Sequence, residues 1–469
     1  MPDLPDVECA VLGAGPAGVA AALKLRALGH RVVVIDRGAN RAEERLEVLT
    51  PGALSVLSAL GLTLPGEAVR IAVRRVAWPA PMLTLDASGA HVVERADLAA
   101  ILRNALTAEG IALLRPARAS RPRQGPEGIW RVAWRAATGT GQIRARCVLV
   151  ATGRAAWGLG RTSVRSLVIS ARLPARPWPA AEMSVEALPD AWLWMAPAHR
   201  DRGAAVQLFV DAAALAASGP AALLHASLRD SRLARGLQAV PDPRPRCFDA
   251  TPRTGAAVLG VDCFAVGDAA LAHDPLSSQG IQAALVSGMQ AAIAIHTNMV
   301  RPERHALVER FLRSRHQERI AAHFRLLGEA YGAVGSVGNH SFWRSRAAEC
   351  RRAPRPAGDA RSPEGRAAGL PHRRLRLASE AHLEPVPVVV GDLVEELPAL
   401  RHPTHARDIA FVGGVPIGAL LEPVARGASA MRVDAFWRHL LGARATAELW
   451  RTLSGKGIMQ VSGRGADLL

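Results

Sequence analysis

Gly13, Gly15 and Gly18 stand in G-x-G-x-x-G spacing directly after the apolar run 7–12, and an Ala/Leu-rich helical pattern continues from them to Gly29. A second apolar run, 31–35, ends on Asp36. This order of strand, glycine turn, helix, strand and acid suits a dinucleotide. Gly13 permits the tight turn, Gly15 lets the backbone approach a pyrophosphate, and Gly18 lets the helix sit close to the strand. A carboxylate closing the second strand receives ribose hydroxyls and repels a 2′-phosphate. Far along the chain, FAVGDAALAHDPLSSQGIQAAL (264–285) sets Asp268, His273 and Asp274 between an apolar strand and a helical run. A histidine there can relay a proton or simply hydrogen-bond the loop backbone, and the residue types leave both readings open. Trp192 and Trp194 form a Trp-x-Trp pair in a strand-like run, which reads either as core packing or as the aromatic wall of a pocket.

Holding these residues takes more than one core. With 469 residues, 49% hydrophobic and 21% charged, the chain has material for two or three domains. Alternating runs at 166–172, 182–188, 192–196 and 204–210 predict antiparallel strands. An amphipathic pattern over 301–330 predicts a long helix. The stretch 341–380, rich in Arg, Pro and Gly, predicts a solvated linker, with docking of an acidic partner as the competing reading. Apolar material returns over 381–469 as a small, mainly helical module serving as a lid, a dimer contact or a dock for a protein substrate. A winged-helix DNA reader is set aside there, because no lysine-rich or aromatic-interleaved face accompanies it. The formal net charge is +17, yet Lys24 and Lys456 are the only lysines. The excess is therefore arginine spread along the chain, as a GC-rich genome produces, with an acidic protein partner as the alternative cause. Cys9, Cys147, Cys247, Cys263 and Cys350 show no close pairs and no metal-ligand spacing, so no metal and a reducing compartment are expected. The N-terminus lacks the basic and apolar regions of a signal peptide, and no apolar stretch reads as long enough to span a bilayer. The expectation is a cytoplasmic protein that binds neither membrane nor nucleic acid.

Taken together, these motifs resemble the flavoprotein hydroxylase and flavin-dependent halogenase superfamily over roughly residues 5–330. The resemblance implies FAD as cofactor. It assigns Gly13, Gly15, Pro16, Ala17, Gly18, Asp36 and Arg37 to the first binding segment. Arg45, in RLEVLTPGALSVLSALGL, reaches the cofactor, and Arg95, leading ERADLAAILRNAL, lies beside the ribityl chain. Gly153 belongs to the middle motif VLVATGRAAW, where Thr152 departs from the Asp of many hydroxylases and weakens the match to the phenol-hydroxylase branch. Gly267 and Asp268 hold a ribityl hydroxyl, and Pro275, Ser278, Gly280 and Ile281 shape the turn beside the flavin ring. No Cys or His sits in a flavin-linkage motif, so the cofactor is expected to bind non-covalently.

The implied fold is α/β: a Rossmann-like FAD-binding domain (1–160 and 245–340, with part of the sheet domain between 68 and 95), an inserted antiparallel-sheet substrate domain (161–244), the linker and the C-terminal domain. The run AVGDAALAHDPLSSQGIQAAL looks most like a smaller branch, the maturation flavoproteins that build tryptophylquinone cofactors. Membership there implies an FAD-dependent monooxygenase hydroxylating a peptidyl tryptophan of a partner protein by way of a C4a-hydroperoxyflavin. His273, Asp274, Trp192 and Trp194 are then the flavin-edge and substrate candidates. The implied partner is the small subunit of a quinone-dependent amine dehydrogenase. No second glycine fingerprint follows a strand, so electrons come from transiently bound NADH or NADPH, or from a flavin reductase. Two other readings stay open: a hydroxylase, reductase or halogenase of a small aromatic metabolite, and a non-catalytic FAD-fold binding protein. The superfamily's halogenases carry hypohalite on a lysine after the first FAD motif. Lys24, the only early lysine, falls in the dinucleotide helix, which favours direct oxygen transfer.

Overall fold

The computed structural model describes residues 6–38, 45–79, 82–160, 164–173, 178–198, 203–234, 245–336, 340–352, 374–403, 407–455 and 457–461. Two compact units emerge, one of residues 1–296 with 319–353, the other of 297–318 with 354–469.

In the first unit, Val7–Leu12 lies between Gly139–Val150 and Val32–Ile35, parallel to both. Cys263–Ala265 extends the sheet on one side and Ala112–Leu114 on the other, again in parallel. Parallel strands covered on both faces read as continuous apolar runs, and Val32–Ile35 is buried at every position. The glycine turn leads from Val7–Leu12 into the helix Pro16–Ala27, and its glycines are sterically required. At Gly13 (φ +114°) a Cβ would stand 2.3 Å from the Ala151 carbonyl oxygen, and at Gly18 it would stand 1.9 Å from the Gly13 oxygen.

A second sheet of eight described strands runs in the order Arg246–Asp249, Ser166–Leu173, Gly203–Asp211, Ala191–Ala198, Glu182–Leu188, Val69–Ala77, Met82–Glu94, Leu46–Leu49. The four alternating runs of the sequence are all strands here, antiparallel to one another where they pair. Val69–Ala77 then joins Glu182–Leu188 in parallel. One face of this sheet buries Ile169, Leu193, Met195, Val206 and Leu208 with Leu224 and Leu228 of the helix Pro220–Asp230. The opposite face carries Trp192, Trp194, Val185 and Phe209, and Leu327, Tyr331, Phe342 and Trp343 pack on it.

Phe342 and Trp343 correct an expectation. The predicted linker 341–380 opens with a helix, Ser341–Arg352, whose Phe342, Trp343, Ala347 and Cys350 are buried. Composition hid this helix, because its apolar stripe sits among arginines. One of these, Arg346, is itself buried, lies 2.7 Å from Asp211 and stacks on Phe342. Residues 353–373 of the Arg-rich stretch lie outside the described residues. A second correction concerns membrane length. Gly280–Val300 is long and apolar enough to cross a bilayer by length and composition, but 56% of its most apolar window is buried within the protein and its start lines the cavity described below, which fits a core helix.

The second unit carries helices, as expected, together with small β elements. Ile417–Ala425 and Ala430–Gly455 enclose a core with Leu420, Leu421, Trp437, Leu449 and Leu453. Gly442 (φ +76°) kinks the second helix. The hairpin His382–Val390 and Leu393–Arg401 is joined to the start of this unit by the Val394 N–H, which donates to Thr297 Oγ1 at 2.9 Å.

Candidate active site

An open cavity in the first unit collects residues from all the motif segments. Its cofactor side is lined by Gly15, Pro16 and Ala17 of the first turn, Gly153 of the middle motif, and Gly267, Asp268, Pro275, Ser278, Gly280 and Ile281 of the second. Arg45 and Arg95 line it as well. Gly13 and Gly18 lie behind this wall and shape the turn. Asp36 and Arg37 are not among the lining residues. The Asp36 carboxylate accepts the Ala14 N–H at 3.0 Å and the Gly38 N–H at 2.9 Å, with Arg115 at 3.2 Å, so it locks the glycine turn to the second strand.

The lining is built for an anionic, polar group. A Cβ on Gly15 would meet nothing within 4 Å, which leaves a bare backbone cradle. The helix it opens has no capping side chain and no acid in its first turn; such a terminus attracts phosphate. Thr152 Oγ1, between two lining residues, is buried without a hydrogen-bond partner. These features fit FAD: Gly15–Ala17 would hold its phosphates, and Asp268 and Pro275 would lie with the part of the lining left for the rest of the cofactor.

Sequence reasoning passed over two residues that organise this side. Arg154 lies 3.4 Å from Asp268 and donates to the Thr251 and His273 carbonyl oxygens at 2.5 and 2.6 Å. It follows Gly153 directly and so was visible in the quoted motif. Glu47 accepts from Arg95 at 2.6 Å and lies 3.7 Å from Arg45. Burial works to raise the Glu47 carboxyl, yet Arg95 and Arg45 hold it below the ordinary value.

The other side is the sheet face, with Val185, Trp192, Trp194, Gln207, Phe209 and Arg74 lining the cavity. Both readings of the Trp pair therefore meet: the rings are 3% and 7% exposed, packed in the core and facing the cavity. Trp192 stacks on Phe209 with centroids 3.6 Å apart, and Trp78 abuts it edge-on.

His273 and Asp274 stand where these sides meet. His273 Nδ1 lies 3.1 Å from the Leu271 carbonyl oxygen, so donating there leaves Nε2 as the acceptor. Burial pushes the His273 ring below its ordinary pKa, and it stands neutral. Asp274 is almost wholly enclosed. One carboxylate oxygen accepts the Leu276 N–H at 2.9 Å, the other the hydroxyl of Tyr331 at 2.8 Å. Burial pushes this carboxyl up. The Asp274 N–H donates to His323 Nε2 at 3.2 Å, and His323 is driven down to about 3, by burial first and by His273 beside it. Asp274 therefore organises the turn while His273 keeps a free nitrogen. Tyr331, the chain's only tyrosine, and His323 carry no local motif, and only the tertiary fold reveals them.

The cradle is that of a flavoprotein, and the comparisons place it in the FAD-dependent monooxygenase class. Residues 6–188 match the family model described as FAD binding domain. No curated protein sequence matches the chain. Among solved structures, the chain is similar to "peptidyl tryptophan dihydroxylase QhpG essential for tryptophylquinone cofactor biogenesis", with TM-score 0.71 and 25% identity over 96% of this chain and 99% of that one. It is also similar to the flavin-dependent halogenase CmlS, with TM-score 0.74 and 18% identity over 98% and 97% of the two chains. The myxobacterial chondrochloren halogenase CndH aligns with TM-score 0.63 and 19% identity over 73% and 86%. At those identities the two halogenases speak to the fold alone.

Proposed function

We propose that this flavoenzyme hydroxylates a tryptophan side chain held in a partner polypeptide, in biogenesis of a tryptophylquinone cofactor. The observation that carries the reading is the likeness to a peptidyl tryptophan dihydroxylase at 25% identity, which runs over 96% of the chain and so takes in the C-terminal unit as well as the FAD-binding part. The cavity is compatible with it, being open and walled by Trp192, Trp194 and Phe209, against which an indole finds aromatic surface. When bound, FAD supplies the oxygen-activating redox chemistry. The chain's residues bind, orient and shield. Asp268, paired with Arg154, faces the cofactor's sugar-alcohol chain. Arg45 and Arg95 flank it, while Asp36, outside the lining, braces the glycine turn from behind. His273 Nε2 accepts a proton as the ring is oxygenated, a role suited to a neutral imidazole. Lys24 lies in the helix Pro16–Ala27 and does not line the cavity, which favours oxygen transfer over lysine-borne halogenation.

Mass spectrometry of a candidate partner, after incubation with holoenzyme, reductant and oxygen, tests the reading. Gain of oxygen on one partner tryptophan is the expected result. Efficient turnover of free tryptophan or another small aromatic, with the partner untouched, would return the enzyme to small-molecule hydroxylation.

A further inference from the structure

Among the described residues, four arginines line the cavity: Arg45, Arg74, Arg95 and Arg154. Three have roles within the protein. Arg95 and Arg45 share Glu47, and Arg154 pairs with Asp268 and holds two carbonyl oxygens. Arg74 is different. Among the described residues it has no carboxylate partner, and its Nε is buried without a hydrogen bond. Burial alone pulls its pKa below the ordinary value, with no neighbouring charge acting on it in either direction. Removing a cation from water without an anion is costly, so a lone half-buried guanidinium facing a cavity is an incomplete pair.

Its place in the sheet says what completes the pair. Val69–Ala77 aligns Arg74 with Met183 on one side and Leu85 on the other. Residues opposed across a sheet share a face, so Arg74 lies on the same wall as Met183, Val185 and Trp194. Beyond it the wall opens, since Leu83 and Leu85 are 47% and 44% exposed. Arg74 therefore stands where the aromatic wall passes into solvent. We infer that Arg74 receives a carboxylate of the substrate at this rim while the aromatic group enters the cavity. A guanidinium offers a planar fork that binds a carboxylate with two parallel hydrogen bonds. If the substrate is a polypeptide tryptophan, which rests on the proposal above, the carboxylate belongs to an Asp or Glu near that tryptophan.

Two ligands separate this assignment from the polypeptide reading. Holoenzyme is titrated with indole-3-propionate and with its neutral amide, and binding is followed by the change in flavin absorbance. The wild type is expected to prefer the carboxylate by about tenfold or more, the scale of a charge-assisted hydrogen-bonded pair. Arg74→Met keeps the apolar stem and removes the fork. It should bind the two ligands equally while still binding the amide. Arg74→Lys keeps a charge and should recover part of the preference. A wild type that shows no preference, or an Arg74→Met that keeps the full preference, overturns the assignment. With a partner polypeptide, Arg74→Met should raise KM more than it lowers kcat, and changing the partner's nearby acid to its amide should do the same to the wild type. If the preference holds but no polypeptide gains oxygen, Arg74 stands and the polypeptide substrate falls.

Discussion

His323 and Tyr331 show how single side chains hold this site from behind. Because His323 titrates at about 3 in the folded protein and near 6.5 when unfolded, the unfolded chain takes up a proton between those values that the folded chain refuses. Stability from this residue is complete above the unfolded value and falls as pH drops, by up to about 1.4 kcal/mol per pH unit. His323→Gln preserves an acceptor for the Asp274 N–H and removes the titration. Urea unfolding near pH 7 and near pH 4.5 should show the wild type losing about 2–3 kcal/mol more than the variant; equal losses would dismiss this account. The buried His273, also shifted down, keeps some acid sensitivity in both proteins. Tyr331→Phe leaves one Asp274 oxygen without its donor in a buried site, an expected cost of about 1–3 kcal/mol. Because Asp274 also holds the Leu276 N–H of the cavity-lining turn, the variant should bind FAD more weakly, measurable by flavin release on dilution. Undiminished FAD affinity would confine Tyr331 to packing.

At the scale of elements, the glycine turn was legible because it rests on local chemistry, a steric demand at Gly13 and Gly18, whereas the Gly-Asp turn at Asp268 was read through the family resemblance. The second sheet was legible too, since alternation marks strands whatever their partners. What the sequence concealed depends on how elements meet. Gly288, inside the helix Gly280–Val300, looks like an ordinary small residue of an apolar helix. Yet a Cβ there would stand 2.1 Å from the Ala17 carbonyl oxygen, so it allows that helix to lie against the start of the dinucleotide helix. The helix Ser341–Arg352 and the solitary state of Arg74 were hidden for the same reason, as both are defined by tertiary neighbours. The two glycine types predict different failures. Gly15→Val fills the open cradle without touching the fold, so it should yield folded apoprotein with a near-native melting temperature. Gly288→Ala forces two helices apart, with an expected loss of about 1–3 kcal/mol together with flavin. Thermal melts and flavin content measured on both variants check this, and a Gly15→Val protein that retains full flavin would count against the cradle.

For the whole molecule, the division into two units has an energetic meaning. Trp437 is fully buried in the second unit, stacks obliquely on Trp450 at 4.9 Å and donates its indole N–H to the Leu420 carbonyl oxygen at 2.8 Å. Among the described residues, none of those lining the candidate FAD cavity belongs to that unit. The second unit therefore has an apolar core of its own, while the cofactor contacts draw on the first. Trp437→Ala removes a large buried side chain and orphans a carbonyl, at an expected cost of about 3–5 kcal/mol. If the two cores are energetically separate, the loss falls on one of them. Amide hydrogen exchange on flavin-loaded protein gives the local readout: amides of Ile417–Ala425 and of the helix containing Trp437 should exchange faster, while those of Val7–Leu12 and its parallel partner Gly139–Val150 stay protected. Flavin content should stay at the wild-type level. Loss of protection across both units together, with release of flavin, would show that the molecule unfolds as one cooperative body and that the C-terminal unit supports the cofactor site through stability it shares with the rest of the chain.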